Sequence, residues 1–128
     1  MHIKKNVPIV TTDKLAEVKA FYQRHFSCGV SFENEQYLGL VGRGQSGVEL
    51  AFMVPEDPSQ PLFNGAGITY ALEVADPDAE HNRLTGEGLS VVRPLQDNPW
   101  GDRSFVVVDP VGVMLYIYKD IVPAQPAG

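Results

Sequence analysis

Asn98-Pro99-Trp100-Gly101-Asp102-Arg103-Ser104-Phe105 leads through Val106-Val107-Val108 into Asp109-Pro110-Val111-Gly112 and then Val113-Met114-Leu115-Tyr116-Ile117-Tyr118. Phe105 to Val108 is aromatic and β-branched, the Asp-Pro-Val-Gly that follows is turn chemistry, and Val113 to Tyr118 is a second run of strand formers. The stretch predicts a β-hairpin. Side chains alternate along a strand, so Val113, Leu115 and Ile117 share an aliphatic face while Met114, Tyr116 and Tyr118 share a larger, aromatic and partly polar one.

Outward from the hairpin, its second strand has a counterpart. Ser46-Gly47-Val48-Glu49-Leu50-Ala51-Phe52-Met53 repeats the pattern of a glycine turn followed by Val-x-Leu, and Val48 and Val113 stand 65 residues apart in a chain of 128. Glu49 and Met53 therefore follow Met114 and Tyr118 onto the same kind of face. Each half also opens with a strand and a helix. In the first, Val7 to Val10 reads as a strand and Thr12 as the N-cap of a helix on which Leu15, Val18, Phe21, Tyr22 and Phe26 recur at helical spacing. In the second, Gly67 to Val74 is the strand, Asp76 caps a helix with Pro77 at its first position, and Gly88 ends it in the left-handed conformation. Three strands follow each helix: Cys28 to Phe32, Tyr37 to Val41 and Val48 to Met53, then Ser90 to Arg93, Phe105 to Val108 and Val113 to Tyr118. Pro55 to Ala66, rich in turn formers, reads as a linker, and the tail from Val122 to Gly128 as loose.

Composition narrows the partners. Sixteen acidic against ten basic residues give a formal charge of −6, which argues against nucleic acid and favours a cationic small molecule. No stretch approaches the run of about 18 apolar residues that a membrane span needs, so the expectation is a soluble, cytoplasmic protein. Cys28 is the single cysteine and reads as a buried thiol. No Ser-His-acid set, activated cysteine or phosphate-cradling glycine loop is present. Gly42-Arg43-Gly44-Gln45 lies between strands rather than opening a helix.

Lys19-Ala20-Phe21-Tyr22 in the first helix, Arg83-Leu84 and Gly88 closing the second, Pro99-Trp100-Gly101 with Arg103 and Phe105, and Asp109-Pro110 with Gly112 occur in an order and spacing that resemble the vicinal oxygen chelate superfamily. That superfamily includes glyoxalase I, extradiol dioxygenases and bleomycin-resistance proteins. The resemblance covers residues 5–120. It implies an α+β fold of two βαβββ modules in tandem, with mixed sheets curled into a cup and helices on the outer face. Within one domain, module one is 5–54, the linker 55–66, module two 67–120, and the loose tail 121–128.

The resemblance also carries a ligand set. Metal-using members place His, Gln or Glu on the first and last strands of each module, positions that fall here on Val7 or Asn6, on Glu49 or Ala51, on Thr69 and on Tyr116. One carboxylate does not hold a divalent ion. His2 is terminal, and His25 and His81 read as solvated helix-surface residues, so the expectation is no metal and no cofactor, with catalytic residues unknown.

What remains resembles the metal-free bleomycin-resistance branch, which implies a homodimer binding a planar small molecule between aromatic side chains. The candidate ligand-binding residues are Trp100, Arg103, Glu49, Tyr116, Tyr118, Met114 and Thr69, with Met53 as a further pocket wall. Arg103 either orients a ligand oxygen or holds the turn. Glu49, between apolar neighbours, needs a partner, which is a cationic ligand group, Arg103 or water. Asp109 reads as a turn residue. Two rival readings stand beside sequestration: a glyoxalase-like lyase or isomerase, or a dioxygenase-related enzyme, with an atypical metal site including Glu49 or general acid–base chemistry, and an accessory domain with no ligand.

Overall fold

Ten elements form in the order β1 (Ile9–Thr11), α1 (Leu15–Phe26), β2 (Cys28–Glu33), β3 (Tyr37–Gly42), β4 (Glu49–Met53), β5 (Thr69–Glu73), α2 (Pro77–Gly86), β6 (Arg93–Asp97), β7 (Asp102–Val108) and β8 (Met114–Asp120). They are those of a computed structural model that describes residues 1–44 and 47–121; the tail from Val122 lies outside the described residues. The fold is α+β, two four-stranded mixed sheets each carrying one helix, as two tandem βαβββ modules require. The chain divides into two compact units, Met1–Asn64 and Gly65–Gly128.

In the first unit the strand order is β1-β4-β3-β2, with β1 parallel to β4 and the other pairs antiparallel. β1 starts at Ile9 rather than Val7, because Pro8 has no N–H to give a ladder. Thr12 does not cap α1. Its own N–H bonds Met53 O at 2.8 Å, which holds it to the sheet, and its hydroxyl accepts from the Lys14 N–H at 3.1 Å, so the helix starts from Lys14. Val18 and Tyr22 of α1 are buried against the sheet with Val10, Leu38, Leu40 and Phe52. The Tyr22 and Phe52 rings lie 5.7 Å apart, which identifies the Phe52 side of the sheet as the helix side. Cys28 is buried, and desolvation pushes its thiol pKa up.

The second unit repeats the plan with order β5-β8-β7-β6 and β5 parallel to β8. The Asp76 carboxylate accepts from the Ala79 N–H at 3.1 Å, with Pro77 in the first turn. At the other end Leu89 N–H reaches Leu84 O and Gly88 N–H reaches Thr85 O, both at 3.0 Å, with Gly88 at φ 95°. That is the Schellman arrangement. Leu84, Phe105, Val107, Val113, Leu115 and Ile117 fill the core between helix and sheet. In the β7–β8 turn the Asp109 carboxylate accepts from the N–H groups of Val111, Gly112 and Val113 at 2.9, 3.0 and 2.9 Å. Gly112 has φ 100°, and a Cβ there would lie 2.6 Å from Gly65 Cα, so this turn admits only glycine.

Two strands of the second unit depart most from expectation. β6 runs from Arg93 to Asp97, not from Ser90 to Arg93. Pro94 is tolerated inside it because β6 is an edge strand with an irregular register between Arg93 and Gln96. β7 begins three residues early, at Asp102, because its ladder with β8 continues to the Asp102–Asp120 pair. Both histidines of the helices are also more than surface residues: His25 is buried against the Phe21 ring at 5.0 Å, and His81 packs edge-on to Phe105 at 5.2 Å. Among the described residues no helix is long and apolar enough to cross a membrane.

Candidate functional site

The early start of β7 decides which side chains reach the face of the second sheet away from α2. Residues paired across a ladder share a face. One row across that face is Arg93, Val106, Tyr116 and Ala71, the next is Gln96, Ser104, Tyr118 and Glu73, and a third pairs Asp102 with Asp120. Met114 lies in the row before these, opposite Thr69 and Val108.

Between β6 and β7 the chain turns through Pro99-Trp100-Gly101. Asn98 N–H bonds Asp102 O at 2.7 Å, Gly101 N–H bonds Asn98 O at 3.0 Å, and Gly101 takes φ 105°. A tight loop closed by a left-handed glycine puts its middle residue at the tip, and Trp100 is 59% exposed. The indole is nonetheless held. Its Nε1–H is 3.1 Å from both Asp102 Oδ2 and the Tyr116 hydroxyl, and the Arg93 guanidinium sits 5.4 Å from the ring centroid, within cation–π range.

Beneath it lies a network around Asp102. That carboxylate is nearly buried and accepts from the Tyr116 hydroxyl at 2.8 Å, from Asn98 Nδ2 at 2.7 Å and from Trp100 Nε1. Asn98 Nδ2 also reaches Ser104 Oγ at 2.9 Å, while Asn98 Oδ1 accepts from Arg93 Nη2 at 2.8 Å and Gln96 Nε2 at 3.2 Å. Among the described residues no buried side-chain polar atom is left without a partner, so the buried part of the network is satisfied, the condition under which a buried polar cluster adds rigidity. Tyr118 lies beside Tyr116, ring centroids 5.9 Å apart. Its phenol pKa is raised, by desolvation first and then by the carboxylates of Glu73, Asp120 and Asp102.

Of the residues picked from sequence, the structure brings Trp100, Tyr116 and Tyr118 together, with Met114 and Thr69 on the same face. Arg103 is elsewhere. It shares a face with Phe105, toward α2, where Nε and Nη2 bond Asp78 at 2.7 and 3.0 Å and Nη1 bonds Asp97 at 2.9 Å. Holding the turn is the role its geometry gives it. Glu49 belongs to the first unit, where Lys5 Nζ is 3.0 Å from Oε1; its partner is Lys5, not Arg103. Met53 pairs with Thr11 and Tyr37 on the same side of that sheet as Glu49. Arg93, Asn98, Asp102 and Ser104 were missed as site residues. Alternation carried back from Phe105 places Ser104 and Asp102 on the Tyr116 face and Arg103 on the opposite one.

The ligand positions of the metal-using relatives fare poorly here. Ile9 pairs with Ala51 as Ala71 pairs with Tyr116, which makes Ala51 rather than Glu49 the counterpart of Tyr116, and Val7 that of Thr69. Two aliphatic residues, a threonine and a phenol already bonded to Asp102 do not fit a divalent ion. Among the described residues no three His, Cys, Asp or Glu side chains are grouped so as to hold a metal ion. A groove of about 340 Å³ does exist in the first unit, between α1 and the β2–β3 end, lined by Leu15, Lys19, Glu33 and Tyr37 among others. Its Lys19 and Glu33 pair with each other, Nζ to Oε1 at 2.9 Å, and it contains none of the predicted residues.

Comparison with known proteins places this geometry. An uncharacterized protein of Mycobacterium bovis is 46% identical over 50 residues, 39% of this chain and 33% of that protein, so the match spans a third of the relative's length. A glyoxalase/bleomycin resistance protein/dioxygenase from Nocardioides superposes with TM-score 0.77 at 20% identity, covering 100% of this chain and 90% of that one. A bleomycin-binding protein complexed with bleomycin does so with TM-score 0.68 at 17% identity, covering 92% and 99%. At such identities the structures share the fold. The family model of the glyoxalase/bleomycin resistance protein/dioxygenase superfamily matches residues 2–117, and the chain belongs to that superfamily.

Proposed function

We propose that this protein binds a planar small molecule without a protein-held metal and sequesters it, in the manner of the bleomycin-resistance branch, as a homodimer in the cytoplasm. One observation carries the reading: Trp100 is exposed on a loop tip yet fixed by Asp102, Tyr116 and Arg93. A flat apolar surface that is already ordered pays little entropy when a ring stacks on it. The bleomycin-binding fold neighbour supports the ligand class. A positively charged substituent has a place near Tyr118, where the exposed Glu73 and Asp120 carry the charge. Glu49 is less suited, being engaged by Lys5.

The test uses the single tryptophan as reporter. Bleomycin and flat aromatic cations such as acriflavine are titrated against emission, and binding is checked by calorimetry. Trp100→Ala is expected to weaken binding by about 2 kcal/mol or more, the scale of an aromatic hot spot, while the variant stays folded with a midpoint lowered by the loss of the bond to Asp102 and the ring under Arg93. Unchanged affinity removes Trp100 from the site. Native mass spectrometry of the same preparation reads dimer and co-purified ligand together.

A second reading, a glyoxalase-like enzyme working by general acid–base chemistry, is favoured by the Tyr116 hydroxyl lying 2.8 Å from Asp102 Oδ2. A phenol and a carboxylate so placed can pass a proton. Turnover of a glyoxalase-type substrate that Tyr116→Phe abolishes selects this reading over sequestration.

A further inference from the structure

Arg93 is the one half-buried arginine of the described residues without a carboxylate partner. Arg103 has Asp78 and Asp97, and Arg83 has Glu80 and Glu87, while Arg24 and Arg43 are exposed. The Arg93 guanidinium is instead held by two neutral oxygens, Asn98 Oδ1 at 2.8 Å and Ser104 Oγ at 3.4 Å, and it lies over the indole of Trp100. A guanidinium has five N–H donors in a fixed fork, so three are left over.

The carboxylate of the network is already engaged. Asp102 is linked to Arg93 through the Asn98 amide and the Trp100 indole rather than by a direct bond, and both its oxygens accept from Asn98, Trp100 and Tyr116. The β6 edge of this face therefore presents a positive fork with donors to spare, beside a fixed aromatic surface. Across the sheet, on β5, the charge is the opposite one, Glu73. β6 and β5 are the two edges of the four-stranded sheet, about 14 Å apart at the usual strand spacing.

We infer that the planar ligand carries an oxyanion, a carboxylate, sulfonate or phosphate, that Arg93 grips while the ring lies on Trp100. This deepens the small-molecule reading and rests on it. A planar fork matches an oxyanion with two parallel hydrogen bonds, and the guanidinium loses less hydration in doing so than an ammonium would. The two edges then ask for opposite charges, and the ligand class becomes a flat aromatic molecule with its acid at the β6 end.

The experiment compares naphthalene-2-carboxylate with naphthalene-2-carboxamide, alike in shape and different in charge, by calorimetry on the wild type, Arg93→Gln, Arg93→Lys and Trp100→Ala. The acid is expected to bind the wild type about tenfold more tightly than the amide, the scale of a hydrogen bond to a charged group. Arg93→Gln erases that preference and Arg93→Lys keeps part of it, which also carries the test should the glutamine variant fold poorly. Equal affinity of acid and amide overturns the inference, as does an acid preference that survives Arg93→Gln. If neither probe binds the wild type, the inference and the stacking reading fall together. If the Arg93-dependent preference persists while Trp100→Ala changes nothing, the oxyanion site stands and the stacking reading alone fails.

Discussion

The hairpins β2–β3 and β6–β7 occupy equivalent places in the two units, and each enters its loop through an asparagine. Asn34 spends its side chain on its own turn: Oδ1 accepts the N–H groups of Gln36 and Tyr37, both at 2.8 Å. Asn98 leaves the turn to backbone bonds and to Pro99 and Gly101, which frees its amide to join Arg93, Gln96, Asp102 and Ser104. A proline and a left-handed glycine make the loop self-sufficient. The asparagine then becomes the hub of a network.

The same divergence runs across the sheets. On the face away from the helix, the row through Ala51 holds Ile9, Gly39 and Phe32; the row through Tyr116 holds Ala71, Val106 and Arg93. The first is apolar and the second carries a phenol and a guanidinium. On the helix side the units remain alike, Tyr22 against Phe52 in one and His81 against Phe105 in the other. What folds each half is alike in the two units. The buried polar network around Asp102 is found in one.

Removing the shared part should cost the most and should cost both halves. Phe52→Ala and Phe105→Ala each delete a fully buried ring, for which about 3–5 kcal/mol is expected from lost burial and the cavity left behind. Urea unfolding measures it, and a cost confined to one variant would break the equivalence of the two cores. The asparagines sharpen the contrast at smaller scale. Asn34→Ala loses two turn bonds and is expected to cost about 1 kcal/mol. Asn98→Ala removes a donor from the buried Asp102 and the acceptor of Arg93, with about 2–3 kcal/mol expected and a shift in Trp100 emission that Asn34→Ala does not produce. Equal costs and an unmoved emission maximum would reduce Asn98 to a second turn residue.

Much of this was legible in the sequence, and the boundary falls where local pattern stops being informative. The alternation of Val113 to Tyr118, the glycine turns and the Asp76-Pro77 start of α2 are local, and each determined its element. Thr12 failed as a cap because a long-range bond to Met53 holds it to the sheet. Pro94 hid β6, since whether a proline can sit in a strand depends on its being an edge, which is a property of the whole sheet. With β6 placed too early and β7 read only from Phe105, Arg93, Asn98, Asp102 and Ser104 had no assigned face, and Arg103 was grouped with a tryptophan from which its own strand turns it away.

Arg103 also ties the hairpin to the helix in the second unit, as Lys19 and Glu33 do in the first. Its pKa is raised, by hydrogen bonds first to Asp78 and then to Asp97, and the Asp78 carboxyl is held below the usual carboxylate range chiefly by the hydrogen bond from Arg103. A carboxyl whose folded pKa is depressed binds protons more readily when unfolded. Its contribution to stability is present above the unfolded value, about 4, and is lost as pH falls through the folded one. Arg103→Gln is therefore expected to lower the urea midpoint slightly at pH 6, because exposed pairs of this kind contribute little. The deficit should shrink toward zero in acid, as pH falls through the folded value of Asp78 that Arg103 holds down and the carboxyl is protonated in both wild type and variant. Measuring the two midpoints at pH 6 and in acid separates this from a packing role: a deficit that persists undiminished in acid would mean that the arginine stem, rather than its charge, holds the hairpin to α2.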